Sequence, residues 1–375
     1  MKQLAYITKI FIEIVNGRII KQEAWQMDIG EKSIISIRPN THLNRLLFSM
    51  RDDATKAYNN YLQRCGKEAV VIIKLCYFIR SSTHQFYKDE DNSYIQIEVE
   101  LRKKGMNHTD NYYVDKKDGI SEKIEKTLIY LYDLFSEDYT RFEKKYLCNK
   151  VCFSGRAAAT LVHEYSHLFE ADIYLYSRKY LDQFNPMLKL QDLWFHQRIP
   201  KFCNCLDDEL ISSKSFVILE KGLLKNIIVD KKWATIYHLA PKGNGRIAFE
   251  ENAIVMPRMR ISHISFNKTI SNYTRHPEEN YLVIDNIKSG KLSPKEGIVT
   301  FNIESSKYYS SQEITKLGPF VISVHIHKLM NNIFGASNDE YCMACPCGKN
   351  GAQTPCGIVT PTEIYSLKDG INVLV

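Results

Sequence analysis

A chain of 375 residues, 44% hydrophobic and 25% charged with both signs mixed, holds enough apolar side chains for two ordinary domains or one elaborated domain and is too balanced in charge for disorder. Its 50 Lys and Arg against 43 Asp and Glu leave a net charge of +7 spread thinly along the chain, which makes no case for a nucleic-acid partner. No stretch approaches the roughly 20 apolar residues of a membrane-spanning helix, and the opening MKQLAYITKIFIEIVNGRII alternates like a strand instead of a signal peptide, so a cytoplasmic protein with no membrane partner is expected.

The expected fold class is α+β. Residues 1–147 read as an N-terminal domain in which the strand-like runs LAYITKIFIEIV, AVVIIKLCYFI and YIQIEVELRK accompany a helix near HLNRLLFSMRDDATKAYNNYLQRC. Ile124, Leu128, Leu131 and Leu134 recur at helical spacing and predict an amphipathic helix over 119–135. The Lys-, Glu- and Asp-rich stretch that follows is expected to link the domains, ending near Cys148. Residues 148–375 read as a mainly β domain carrying one helix at its start. Its strands are expected at SFVILEKGLLKNIIV, NYLVIDNI, GIVTFNIE and PFVISVHI, with Gly-containing turns between most of them.

That helix carries the chemistry. Ser154 reads as an N-cap for GRAAATLVHEYSHLFEAD, with Ala157, Leu161, Tyr165 and Leu168 on one core-facing side. At 100° per residue, His163, His167 and Glu170 project within about 60° of one another. Two His four residues apart aim two nitrogens at one point, the arrangement that a zinc ion takes, and Glu164 beside them is placed to serve as general base toward an activated water. A catalytic site needs a third protein ligand. Sequence spacing alone leaves Glu170, His196, His325, His327 and the C-terminal cysteines as alternatives. His325 and His327 alternate as on a strand and read as core or surface residues.

Four segments in order resemble one family. GRAAATLVHEYSHLFEAD is similar to the active-site helix of the TldD/PmbA metallopeptidases, also called modulators of DNA gyrase. FVILEKGLLKNIIVDKKWA, PKGNGRIAFEENAIVMPRM and CGKNGAQTPCGIVTPT resemble three further motifs of that family. The resemblance covers roughly residues 150–375; residues 1–145 match loosely and are shorter than the usual N-terminal domain. It implies one Zn2+ per chain held by His163, His167 and Cys347, with Glu164 catalytic. It also implies proteolysis of short or unfolded peptides, leader-peptide removal in maturation included, by a homodimer or by a heterodimer with a paralogous TldE-like subunit. A non-catalytic TldE-like subunit is the alternative.

Asn244, Gly245 and Arg246 of the GNGR match and Arg258 of the PRM match are candidates for substrate contact, since Gly permits close approach and Arg holds carboxylates. Glu170 is a candidate for orienting a ligand His. The chain departs from the family in spacing its two His by two residues where the family pattern has three, and in adding Cys342 and Cys345 before Cys347. With Cys356 these read as free thiols; a separate zinc or iron–sulfur site is the alternative, although C-x2-C-x-C fits no common rule.

Overall fold

The computed structural model describes residues 5–28, 33–38, 41–82, 92–115, 119–136, 139–202, 206–249, 254–267, 280–311, 313–349 and 351–374. Long strands of period two build its first half: β1 (Ala5–Val15), β2 (Arg18–Asp28), β3 (Ser33–Ser36), helix α1 (Thr41–Cys65), β4 (Val70–Ser82), β5 (Asn92–Lys103), β6 (Met106–Asp115) and helix α2 (Ile120–Ser136). The strands form one antiparallel sheet in the order β3-β2-β1-β4-β5-β6. Alternate residues face opposite sides of a strand. Ile10, Ile12 and Ile14 of β1, Ile73 and Leu75 of β4, and Ile97 and Val99 of β5 therefore share one face, which α1 and α2 cover with Ala54, Ala57, Ile124, Leu128 and Leu131. The opposite face turns Cys76, Phe78, Tyr94 and Tyr113 toward Phe202, Ile247, Ile261 and Val359 of the second half.

The second half runs β7 (Lys150–Ser154), α3 (Arg156–Ser166), α4 (Ala171–Ser177), β8 (Leu188–Leu193), β9 (Phe216–Glu220), β10 (Leu223–Leu224), α5 (Lys231–Tyr237), β11 (Gly245–Arg246), β12 (Met256–Pro257) and β13 (Ile261–Phe266). It continues with β14 (Tyr281–Ser293), β15 (Ile298–Tyr309), β16 (Ile314–Leu317), β17 (Phe320–His325), α6 (Ile326–Asn331), β18 (Ile333–Ala336), β19 (Glu340–Lys349), β20 (Ala352–Pro361), β21 (Glu363–Leu367) and β22 (Ile371–Leu374). These strands form a six-stranded sheet, β10-β9-β8-β13-β20-β19, an eight-stranded sheet, β18-β21-β7-β14-β15-β17-β22 with β16 on β15, and the separate pair β11-β12. The mainly β character read from the sequence is therefore present, within an α+β whole.

Helix α3 lies between these two sheets, against β14 and β7 of one and β20, β19 and β13 of the other. Its run of Ala157, Ala158 and Ala159 keeps it thin enough for both sheets to close on it. The charged stretch expected as a linker is not free: Phe142 is buried with its ring 3.9 Å from that of Phe320, and Thr140 bridges Leu317. Residues 137–138 of that stretch lie outside the described residues. His325 and His327 do not share a strand face: His325 ends β17, and His327 falls in α6, its ring buried edge-on to Phe184. Alternation in sequence could not register the helical turn that begins at Ile326.

Candidate metal centre

Gly155, not Ser154, caps α3. Its φ of 53° and ψ of −113° suit glycine, and its N–H donates to the Thr362 carbonyl at 2.7 Å, turning the chain from β7 into the helix. Every residue from Ala157 to Ser166 except Thr160 is buried, so the helix is enclosed on all sides where the spacing had suggested one core-facing side. It also ends earlier than expected. His167–Phe169 tighten into a 3-10 turn, and Glu170 is extended (φ −72°, ψ 126°) at the start of α4. The turn is pinned by two backbone bonds, Ile228 N–H to Phe169 O at 2.8 Å and Ala171 N–H to Ile228 O at 2.9 Å. The HEYSH motif thus sits at a helix end instead of its middle.

At that end three donors meet. His163 Nε2 and His167 Nε2 are 3.3 Å apart, and Cys347 Sγ of β19 lies 3.5 Å from His167 Nε2. Bond lengths of about 2.0 Å to nitrogen and 2.3 Å to sulfur give tetrahedral edges of about 3.3 Å for N···N and about 3.5 Å for N···S. The donors are therefore already spaced as the edges of such a polyhedron. His167 Nδ1–H donates to Glu170 Oε2 at 2.8 Å, which leaves the Nε2 lone pair facing the cluster, and Arg258 approaches Cys347 Sγ at 3.4 Å.

The electrostatics bind the same groups together. Burial opposes charge on His163, but the adjacent Cys347 sulfur outweighs it and lifts the pKa to about 9. A hydrogen bond with Cys356, joined by the two imidazoles and opposed by burial, holds Cys347 well below an ordinary thiol. Burial works against the Glu170 carboxylate, yet Lys349 and His167 bring its pKa down to about 2. Lys349 Nζ reaches Glu170 at 2.8 Å, Asp172 at 2.6 Å and the Pro257 carbonyl at 3.1 Å, and Glu170 also accepts from the Met259 N–H at 2.9 Å.

Glu164 and His167 together line a cavity of about 640 Å³. Asp172, Tyr176, Trp233, Lys291 and Lys349 complete much of its wall. Gly290 of β14 closes on the carboxylate: a Cβ there would stand 2.6 Å from Glu164 Oε1 and 2.7 Å from its Cγ.

The cluster unites His163, His167 and Cys347, with Glu170 behind His167 and Glu164 on the cavity wall. Of the four residues expected at substrate, Arg258 reaches the Cys347 sulfur, and the other three bond elsewhere. Asn244, Gly245, Arg246 and Arg258 are all buried. Asn244 Nδ2 donates to Asp192 and to the Arg258 carbonyl, the Gly245 N–H donates to Asp207, and Arg258 donates to the carbonyls of Lys349 and Ala352. A glycine turn flanked by arginine resembles a surface loop in sequence, but here the guanidinium groups are enclosed by carbonyls and carboxylates. His196 and the two α6-region histidines are not among the clustered donors. Lys349, part of the CGK string itself, and Gly290 went unnoticed in the sequence. The first had a signal in its adjacency to Cys347, whereas the second had none, because its role is an approach between elements 126 positions apart.

The family model described as the PmbA/TldA metallopeptidase C-terminal domain matches residues 146–365. A protein named metalloprotease from Methanothermobacter thermautotrophicus is 24% identical over 155 residues, 40% of this chain and only about a third (33%) of that relative's length. In fold, the chain is similar to TldE from Thermococcus kodakarensis (TM-score 0.63, 13% identity, 98% of this chain and 96% of that one). It is also similar to a candidate modulator of a DNA gyrase from Thermotoga maritima (TM-score 0.61, 13% identity, 99% and 95% covered). With a family model matching more than half of its length at the segment that builds the metal cluster, the chain belongs to the TldD/PmbA family of metallopeptidases.

Proposed function

We propose that the chain is a zinc-dependent peptidase hydrolysing short or unfolded peptides, with leader removal from a ribosomally made precursor as one such reaction. The observation that carries this reading is the meeting of His163, His167 and Cys347 directly behind a cavity whose wall bears Glu164. A His2Cys set leaves one tetrahedral position open, as catalytic zinc sites do. One zinc ion held there supplies Lewis-acid polarisation of the scissile carbonyl and lowers the pKa of a nearby water.

The remaining work belongs to the chain. Glu164 takes a proton from the attacking water and returns it to the nitrogen of the leaving amine. Gly290 leaves that carboxylate room and limits where it can lie. Glu170, itself held by Lys349 and the Met259 N–H, keeps His167 in the Nδ1-protonated tautomer. Trp233 and Tyr176 offer aromatic surface to a peptide in the cavity.

Glu164→Gln is expected to retain its metal and lose peptidase activity by two or more orders of magnitude, as measured by mass spectrometry of peptides incubated with the zinc-loaded protein. Cleavage at the wild-type rate would rule the mechanism out. The similarity of fold to TldE supports a second reading, a non-catalytic subunit that pairs with a protease. Elemental analysis separates the two, since a metal-free native protein fits only the second. In either case a cytoplasmic dimer, of two copies or of paralogous subunits, is part of the proposal.

A further inference from the structure

His163 faces donors on both sides of its ring. While Nε2 points to His167, Nδ1 lies 3.4 Å from Cys356 Sγ, which is 3.7 Å from Cys345 Sγ. The register explains the pairing: Cys345 stands opposite Cys356 on the β19–β20 ladder, and Cys347, two residues on, shares their face. Cys342, an odd number of positions away, falls on the other face. Tetrahedral zinc with bonds of about 2.3 Å to sulfur and 2.0 Å to nitrogen has edges of about 3.8 Å for S···S and 3.5 Å for S···N. The second trio matches those edges as closely as the first.

We propose that Cys345, Cys356 and the Nδ1 face of His163 form a second cation lobe for a thiophilic ion such as zinc, sharing His163 with the His163–His167–Cys347 lobe. On binding, the two thiol protons and the remaining ring proton are released to solvent as two metal–sulfur bonds and one metal–nitrogen bond form, in keeping with the deprotonation of ligands on metal binding. The ion ties the β19–β20 ladder to α3 and fixes the His163 ring from behind, the task that Glu170 performs for His167. Among the described residues these two trios are the groups of three or more donors close enough to hold an ion. The proposal depends neither on Glu164 nor on peptide hydrolysis.

Metal stoichiometry tests it. After reconstitution and removal of excess zinc, the wild-type protein is expected to hold two equivalents per chain by elemental analysis. Cys345→Ser and Cys356→Ser are each expected to hold one, and His167→Ala to keep one. With cobalt as probe, the His167→Ala protein is expected to retain a thiolate charge-transfer band that the further change Cys356→Ser removes. Circular dichroism accompanies each variant, and the wild-type count stands even if a variant fails to fold. One equivalent in the wild-type protein overturns the proposal and leaves Cys356 as a hydrogen-bond partner of His163. Loss of all metal from folded His167→Ala overturns it as well.

Discussion

Lys349 and Glu170 form a buried ion pair at 2.8 Å whose members also serve Asp172, His167 and the Met259 N–H. Removing one partner of such a pair costs about 3–5 kcal/mol, because the other charge is left buried. Lys349→Met is therefore expected to lower stability by about 3 kcal/mol in urea unfolding; a change below the measurement error would show that the pair is not held as described. Gly290→Ala tests a tighter constraint. The added methyl pushes Glu164 aside, so metal content is expected to hold while kcat falls about a hundredfold, the scale of a 1 Å misplacement. His163 gives a pH signature. Its raised pKa of about 9 means that the charged ring stabilises the metal-free fold fully below about 6.5, and that this stability is lost as pH climbs through 9. A metal cannot bind a protonated ring nitrogen, so affinity is expected to tighten over that window by about tenfold per pH unit for each proton displaced. Competition with a chelator across pH 6.5 to 9 measures this, and a flat profile would contradict it.

At the scale of elements, the capping turn is the exposed weakness of α3. Gly155→Ala keeps space for its methyl, whose nearest neighbour is the Tyr341 ring at 3.8 Å, but forces an L-residue to φ 53° and ψ −113°. A loss of about 1–3 kcal/mol is expected, read as a lower melting temperature with the metal site intact. Strands β1, β4 and β5 and both helices of the first half were legible because period-two and period-3.6 patterns mark them, whereas β2, β3 and β6, more polar in sequence, went unread. Helix α3 was legible in existence but not in extent: it is buried all round, so no polar face marks where it stops, and the break at Ser166 is set by the bonds to Ile228. His163, Glu164 and His167 could be read because their spacing is local. Cys347 could be named only through resemblance, since a strand of another sheet brings it 180 positions back to His167. The burial of Asn244 and Arg258 had no local signature, because their partners are distant carbonyls and Asp192.

For the whole molecule, the centre joins α3 to the sheet that contains β19. An ion bound only by the native state stabilises it by RT ln(1 + [L]/Kd), about 2.7 kcal/mol at a hundredfold excess over Kd. Stripping the protein with a chelator is expected to lower its melting temperature by several degrees, and zinc to restore it; an unchanged melting curve would mean that no ion is held in the native fold.

The separation of the donors also has a meaning for the growing chain. The His pair lies on α3, but Cys347 and Cys356 belong to the β19–β20 pair, which brings Cys347 to His167 from 180 positions further on. Until β19 has been made, and both sheets have closed on α3, the two His have no Cys347 thiolate to complete their set. The metal cluster is thereby withheld from a chain that lacks β19, and it arrives only with the closing of both sheets on α3.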